Sequence, residues 1–204
     1  MMYHDVLGDL PETPVGHDFD VSRATESFIP TARAVTFHPI AFFTSLPRQG
    51  NYWSPLAFAL ICAEISTILG GILGLVGGSS IAAFLGSIVG TIIGATIGLF
   101  VVAGIAHLLA RAIVGATTSP FEATFRVAAY ASVTSLASWI PLVGGLAGLY
   151  GLYLAIVGMR EVHQTTTGKA AAIVLIPVAA IIVLAIVAGV VVGLAALAGL
   201  GGVH

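Results

Sequence analysis

The chain has 204 residues, of which 58% are hydrophobic and only 8% are charged. Soluble domains are about 25% charged, so this composition excludes an ordinary soluble domain and predicts a polytopic membrane protein. The formal net charge of −2 removes the basic surface that a nucleic-acid-binding protein needs. The single cysteine, Cys62, excludes an intrachain disulfide and any metal site built from several cysteines.

Residues 1–35 are predicted to form an acidic, disordered, cytoplasmic tail. Nine of the 16 charged residues of the chain lie within residues 1–48. The tail contains three prolines and few large apolar side chains. It therefore cannot bury enough apolar surface to offset the entropy lost on ordering.

Residues 36–53 are predicted to be an amphipathic segment at the membrane interface. Pro39 suits a first helical turn, and the apolar residues Ile40, Phe43 and Leu46 follow at intervals of three. This spacing predicts a short helix with its apolar face on the lipid. Packing of the same helix beneath the transmembrane bundle is an equal alternative.

Residues 54–204 are predicted to be an all-α bundle of five transmembrane helices, with approximate spans 54–77, 81–110, 126–141, 143–159 and 171–198. The uncharged stretch between Arg126 and Arg160 could be one overlong helix or two short ones. Proline and glycines at 141–145 favour a turn there, and hence two helices.

The positions of the basic residues distinguish four spans from five. With five spans, all seven Lys and Arg residues lie on one side of the membrane. This predicts a cytoplasmic N-terminus and an external C-terminus. With four spans, Arg160 and Lys169 would lie outside.

Glycines recur at every fourth residue in the first two predicted spans. They form two ladders, Gly70, Gly74 and Gly78 in the first span and Gly86, Gly90, Gly94 and Gly98 in the second. Such spacing lets helix backbones approach closely in lipid. Packing between the two spans is favoured over a dimerisation face, because a short turn already places them side by side.

Glu64 is the only acidic residue in the predicted spans. A charged carboxylate at this depth is costly, so we expect a protonated carboxyl group that donates a hydrogen bond to a neighbouring helix. The alternative is a proton or ion relay, in which only His107 could take part. Glu64 and His107 are therefore the candidate polar site within the membrane.

The sequence contains no recognisable catalytic or cofactor-binding motif. The Gly-x-Ser-x-Gly elbow, the His-Glu-x-x-His motif and the dinucleotide-binding glycine fingerprint do not occur, and no two histidines have ligand spacing on a common helix. These observations predict a protein without enzymatic activity, metal or cofactor.

Several short motifs, in this order, resemble the Yip1-domain membrane proteins. They lie at residues 106–111, 119–121, 124–132, 140–144, 149–154 and 158–163, and the chain after Pro39 and from Ser54 also fits. The resemblance implies five transmembrane helices, a cytoplasmic N-terminal tail and no enzymatic activity. It also implies cytoplasmic loops that contain the motif residues Arg111, Phe121, Phe125, Arg126, Tyr130, Arg160, His163 and Lys169.

Eukaryotic members of that family act in vesicle traffic and bind Rab-type GTPases. This compact chain is more similar to prokaryotic members, for which the membrane would be the cell membrane. The sequence thus predicts a non-catalytic membrane scaffold or accessory protein whose partners are the lipid bilayer and either other membrane proteins or further copies of itself. The alternative is a small transporter or channel that uses Glu64.

Overall fold

The computed structural model describes residues 18–201, with side-chain environments for residues 18–192. All regular structure in this range is helical, which confirms the all-α class. The α-helices are α1 Ala24–Phe37, α2 Pro39–Ser45, α3 Trp53–Val76, α4 Ile81–Val114, α5 Phe121–Ala131, α6 Val143–Val162 and α7 Thr167–Gly201. Short 3-10 helices lie at Val21–Arg23, Gly115–Thr117 and Ser132–Ala137.

Four of the described helices, α3, α4, α6 and α7, are long and apolar enough to cross a membrane. Many of their large apolar side chains are exposed on the protein surface, from Ile81 on α4 to Val192 on α7. In water so large an apolar surface would drive association, whereas in lipid it faces a solvent of its own polarity. The prediction of an integral membrane protein is therefore confirmed.

α3 and α4 form an antiparallel hairpin around the turn at residues 77–80. The Ser80 side chain caps α4 by accepting a hydrogen bond from the amide of Ala83, at 3.2 Å. Deeper in the pair, the hydroxyl groups of Thr67 and Thr91 share a hydrogen bond of 2.9 Å. The ring of Phe84 lies over Gly71, so a bulky residue on one helix fits a gap on the other.

The glycine ladder on α4 does not pack against α3, so that prediction is wrong. A Cβ atom built at its four members would meet no atom within 4 Å: Gly86, Gly90, Gly94 and Gly98. Four residues rotate about 400° around the helix axis, which is about 40° more than a full turn. Successive glycines of the ladder therefore point in different directions around α4, whereas Phe84 and Thr91 lie on the face that contacts α3. On α3, by contrast, Gly70 lies beside Trp139 and Gly74 beside Ser79, and Gly78 lies in the turn.

The segment predicted as the third span, residues 126–141, has different bounds and a different form. The helix α5 begins earlier, at Phe121, and continues after Ala131 as a 3-10 helix. The segment then pairs with α6 in antiparallel fashion, because the Ser119 hydroxyl donates to the Val162 carbonyl at 2.5 Å while Ser138 lies against Gly144 at the opposite end. The turn between them is where the proline and glycines at 141–145 place it.

The second part of the predicted tail is folded, which corrects the expectation of disorder there. α1 occupies residues that were assigned to the disordered tail and buries Thr31 and Val35, with Phe28 packed against the core. The reason is that these side chains recur at intervals of three and four, which is a helical period. Residues 1–17 of the predicted tail lie outside the described part of the chain.

α2 packs against the protein rather than lying with its apolar face on the lipid. Phe42, Phe43 and Leu46 are buried in the core, and only Ile40 of the predicted lipid-facing set is exposed. The Thr44 hydroxyl lies 3.1 Å from a carboxylate oxygen of Glu161 near the end of α6. Of the two alternatives for this segment, the structure has the helix packed on the bundle.

Candidate functional site

The loops that join α2 to α3, α4 to α5 and α6 to α7 gather at one end of the molecule. This end, called the basic end below, comprises residues 46–52, 115–120 and 163–166. Arg48 lies within these loops, and Arg111, Arg160 and Lys169 lie within a few residues of them. The turns at the opposite end, residues 77–80 and 138–142, contain no Lys or Arg.

A buried ionic network fixes the N-terminal segment to α5 at the basic end. Arg126, whose side chain is 3% exposed, forms a salt bridge with Asp18 and also donates to the Asn51 carbonyl at 3.1 Å. The Tyr130 hydroxyl donates to the second carboxylate oxygen of Asp18 and accepts a bond of 3.1 Å from the amide of Phe19. Burial of a charge is tolerated when it is paired and hydrogen-bonded, as here.

Gly50 makes room for the Arg126 guanidinium. A Cβ atom at residue 50 would lie 2.6 Å from Nη2 of Arg126, and the backbone there has a φ of +143°. Only glycine adopts that conformation without strain. The loop before α3 is therefore shaped by the side chain that it covers.

An aromatic cluster continues this contact into the core. The ring of Phe19 lies 5.7 Å from Phe58 and 6.4 Å from Phe28, and Phe58 lies 5.1 Å from Tyr130. Phe42 of α2 meets Tyr130 edge to face at 5.1 Å. Such offset and edge-to-face pairs stabilise packing beyond their buried area. Residues 18–45 are thus part of the folded bundle.

Four of the motif residues assigned to cytoplasmic loops, Phe121, Phe125, Arg126 and Tyr130, lie on α5 instead. α5 is amphipathic, and nearly all of it is buried beneath the basic end. Phe125 packs against Tyr52 and Phe100, with ring centroids 5.2 Å and 4.6 Å away. The assignment to loops is wrong because these side chains are the core of the basic end.

A second polar network joins α4, α5 and α6 through two histidines. Nδ1 of His163 accepts from the Ser119 amide at 3.2 Å, so the proton of the neutral ring is on Nε2. That Nε2–H donates to the Thr124 hydroxyl at 3.0 Å, and the same hydroxyl shares a hydrogen bond of 3.1 Å with Nδ1 of His107. His107 therefore bonds a hydroxyl group of α5, which the sequence did not reveal.

The environment of His163 keeps its ring neutral. Burial, with smaller repulsions from His107 and Arg48, lowers the pKa of His163 to about 4 from the ordinary 6.5. A second proton would also have to sit on Nδ1, where the amide of Ser119 already donates. The network is consequently a neutral structural connection at neutral pH.

The remaining motif residues lie at the basic end, but of these four only His163 lies in a loop, since Arg111 is on α4, Arg160 on α6 and Lys169 on α7. Arg160 forms a salt bridge of 2.6 Å with Glu161, which also contacts Thr44 of α2. Lys169 lies in the first turn of α7, and its backbone amide donates a hydrogen bond of 3.4 Å to the Thr166 hydroxyl. Arg111, which is exposed, borders a polar pocket of about 260 Å³ with His107 and Ser119.

Glu64 lies on α3 with both carboxylate oxygens buried and without a hydrogen-bond partner among the described residues. The predicted bond to a neighbouring helix is therefore not formed. The nearest hydroxyl groups along α3 are already engaged, Ser66 with Ser138 and Thr67 with Thr91. Since Thr67 pairs with Thr91, Glu64 lies near the level of residue 94, roughly 20 Å along α4 from His107.

The structure thus brings together some predicted residues and separates others. Arg126 and Tyr130 meet through Asp18, and His107 and His163 meet through Thr124. Glu64 and His107, predicted as one polar site, are apart. Within residues 18–192, no group of three His, Cys, Asp or Glu side chains could hold a metal ion.

The sequence model of the Yip1 domain matches residues 33–200, about four fifths of the chain. No curated protein and no solved structure matches the sequence.

Proposed function

The chain belongs to the Yip1 domain family, and on this premise we propose that it is a non-catalytic membrane scaffold that holds protein partners at its basic end. The family is associated with membrane trafficking and is not known for enzymatic activity. The proposed role is therefore in membrane organisation or trafficking.

The observation that carries the proposal is the fixed architecture of the basic end. The Asp18–Arg126–Tyr130 network and the phenylalanines around Phe58 hold residues 18–45 on the bundle. The His163–Thr124–His107 network holds α4, α5 and α6 together beneath the same surface. Buried polar groups here are used for structure, and the basic side chains at the surface remain available to a partner.

We propose five membrane crossings, the fifth being α5 with its 3-10 continuation. α6 has 20 residues, which is about 30 Å and matches the hydrocarbon core. The 11 residues of α5 and six of the 3-10 helix reach about 28 Å, because a 3-10 helix rises more per residue. The antiparallel pairing from Ser119 to Ser138 supports a crossing of the same thickness as that of α6.

We propose that the basic end is cytoplasmic, which places the C-terminus outside. The support is the distribution of Lys and Arg, which are found near the basic end and not in the turns at the opposite end. Retention of positive loops in the cytoplasm sets the orientation of most multi-pass proteins.

Site-specific photo-crosslinking in native membranes tests the scaffold role. A photoreactive residue at Ala116, which is exposed at the basic end, should give discrete cross-links to other proteins. The double variant Arg111→Glu and Lys169→Glu should remove these cross-links. The control is the same probe at Ser79 in the opposite turn, and equal cross-linking at both positions would contradict the proposal.

The second candidate function is a small transporter or channel. It rests on one observation, the buried carboxylate oxygens of Glu64 without a partner among the described residues. An unpaired acid in the hydrocarbon layer is costly and often marks an ion or proton path. The absence of His107 from its surroundings weakens this candidate, because a relay needs a second group within reach.

Flux measurements in proteoliposomes separate the two functions. A transporter should carry protons or ions across vesicles, and Glu64→Gln should abolish the flux while the melting temperature stays unchanged. Under the scaffold proposal, the parent and Glu64→Gln both show the leak of protein-free vesicles. A flux that depends on Glu64 would replace the scaffold proposal with the transporter.

A further inference from the structure

A partly open cavity of about 410 Å³ lies between α3, α4, α5, α6 and α7. Eight of its 22 lining residues are alanine or glycine, and these small side chains leave the space that larger residues would fill. The only polar side chains in the lining are those of Thr124, Ser132 and Ser135. The cavity is therefore built from apolar surface.

The cavity opens sideways towards the bilayer. Val102 and Ile105 of α4 and Ile181 of α7 form the side where the lining residues are exposed, by 54%, 43% and 61%. On the inner side, Met159 and Ile173 are almost completely buried. A molecule in the lipid can thus enter between α4 and α7 without passing through water.

The shape of the cavity follows the bundle axis. Its lining on α4 runs from Ala95 to Ala106, which is about 16 Å of helix. This length is close to one half of the hydrocarbon core, or one leaflet. Because Ala106 and Thr124 are nearest to the basic end, the cavity extends from that side to about the level of Glu64.

We propose that this cavity is a binding site for one alkyl chain of a membrane phospholipid, drawn from the leaflet at the basic end. Protein interiors hold few voids larger than a water molecule, because an empty space forfeits the dispersion contacts of its lining. Water would find few partners here. The Thr124 hydroxyl bonds to two histidines and the Ser132 hydroxyl to the Ala129 carbonyl, which leaves Ser135 alone without a partner among the described residues.

The polar pocket beside Arg111 differs from the apolar cavity in composition and is separate from it. That pocket lies on another part of the basic end and is lined by His107, Thr118 and Ser119. It shares no lining residue with the apolar cavity. The cavity therefore recognises the chain of the lipid, without a headgroup site of its own.

The test uses the full chain in phosphatidylcholine vesicles that contain phosphatidylcholine with a diazirine on one acyl chain. After illumination, mass spectrometry locates the labelled residues. Met159, which is 2% exposed and lines the cavity, should be labelled. Leu146, which lies on the exposed surface of the same helix, reports ordinary contact with lipid.

Two glycines of α4 provide a matched pair of variants. Gly98 lines the cavity and Gly94 does not, and a Cβ atom at either position would meet no atom within 4 Å. Gly98→Leu should fill the cavity and reduce the labelling of Met159 to the background without light. Gly94→Leu should leave it unchanged, and both variants should keep the labelling of Leu146.

The proposal is overturned if Met159 of the parent is unlabelled while Leu146 is labelled, or if Gly98→Leu leaves the labelling of Met159 intact. A second measurement covers a loss of fold in Gly98→Leu. In detergent, added phosphatidylcholine should raise the melting temperature of the parent and of Gly94→Leu. If it raises neither melting temperature, the proposal is contradicted.

Discussion

Asp18 and Arg126 are 108 residues apart in the chain and form one ion pair beneath the basic end. The Arg126 side chain is almost completely buried, so its positive charge is stabilised by the Asp18 carboxylate and by the Asn51 carbonyl instead of by water. A buried pair is costly to break from one side, because the remaining charge then has neither water nor a partner.

Asp18→Ala should therefore lower the stability of the folded protein by roughly 3 kcal/mol. Thermal unfolding in mild detergent measures the effect. Glu26→Ala, the same change of charge at an exposed position of α1, is the control and should leave the melting temperature nearly unchanged. Adding Arg126→Met to Asp18→Ala should restore part of the lost stability, because no unpaired charge then remains buried. If the double variant is no more stable than Asp18→Ala, the buried charge of Arg126 is not the cause of the loss.

His163 should make stability depend on pH. Its pKa is about 4 in the folded protein and near 6.5 when exposed, so between these values the unfolded chain binds a proton that the folded chain does not. Stability contributed by His163 is complete above pH 6.5 and declines by up to about 3 kcal/mol as the pH falls to 4. The groups that oppose its charge are His107 and Arg48.

Melting temperatures between pH 4.5 and 8 check this dependence. The parent should lose stability below pH 6.5, and His163→Gln, which does not titrate, should show a shallower decline. His38→Gln, at an exposed position, should follow the parent. Identical pH profiles for all three proteins would show that His163 does not cause the loss of stability below pH 6.5.

At the scale of elements, α2, α5 and α6 meet at Gly158. A Cβ atom there would lie 2.6 Å from a methyl group of Val127 and 3.1 Å from the ring of Phe43. This contact is the one place where a missing side chain on α6 brings both the N-terminal segment and α5 close to the bundle.

Gly158→Leu should destabilise the fold by about 2 kcal/mol or more, as overpacking of a close contact does. Gly145→Leu is the matched control on the same helix, since a Cβ atom at residue 145 meets nothing within 4 Å. Thermal melts of the two variants give the comparison. If both variants melt like the parent, α2 and α5 are not held against α6 at this position.

The starts of α3, α4 and α6 match the predicted spans to within one residue. By contrast, α4 ends at residue 114 instead of 110, α7 covers residues 167–201 instead of 171–198, and the bounds of α5 were not predicted. The span predicted at 54–77 is α3 at Trp53–Val76, and the span predicted from residue 81 begins at Ile81, because uninterrupted apolar composition is a local signal. α5 carries Arg126 in its centre, which by composition reads as the edge of a membrane segment. Its burial depends on Asp18, and no local pattern contains that distant partner.

For the site, too, the sequence indicated individual residues but not their partners in the fold. His107 and Glu64 stood out in the sequence as polar residues within apolar stretches, yet the partner of His107 is Thr124, an ordinary threonine on another helix. The glycine spacing on α4 was visible, but the face that it occupies depends on how Phe84 and Thr91 orient the helix against α3. Tertiary contacts of this kind are not encoded in spacing alone.

At the scale of the whole molecule, the protein combines one polar end with an apolar body. Apart from Glu64, charged groups of the bundle are paired or collected near the basic end, while α4 and α7 present apolar side chains to the lipid over most of their length. The apolar body faces the lipid, and the basic end is the surface that we propose for protein partners. The orientation and the fifth crossing together decide which side that surface faces.

The turn at residues 138–142 gives the most direct test of this arrangement. Leu142 is 91% exposed in that turn, and Cys62, the single native cysteine, is buried. Leu142→Cys should react with a membrane-impermeant maleimide added outside intact cells, whereas Thr166→Cys at the basic end should react only after permeabilisation, and the parent should not react at all. Protection of Leu142→Cys from the external reagent, or external labelling of Thr166→Cys, would contradict five crossings with a cytoplasmic basic end.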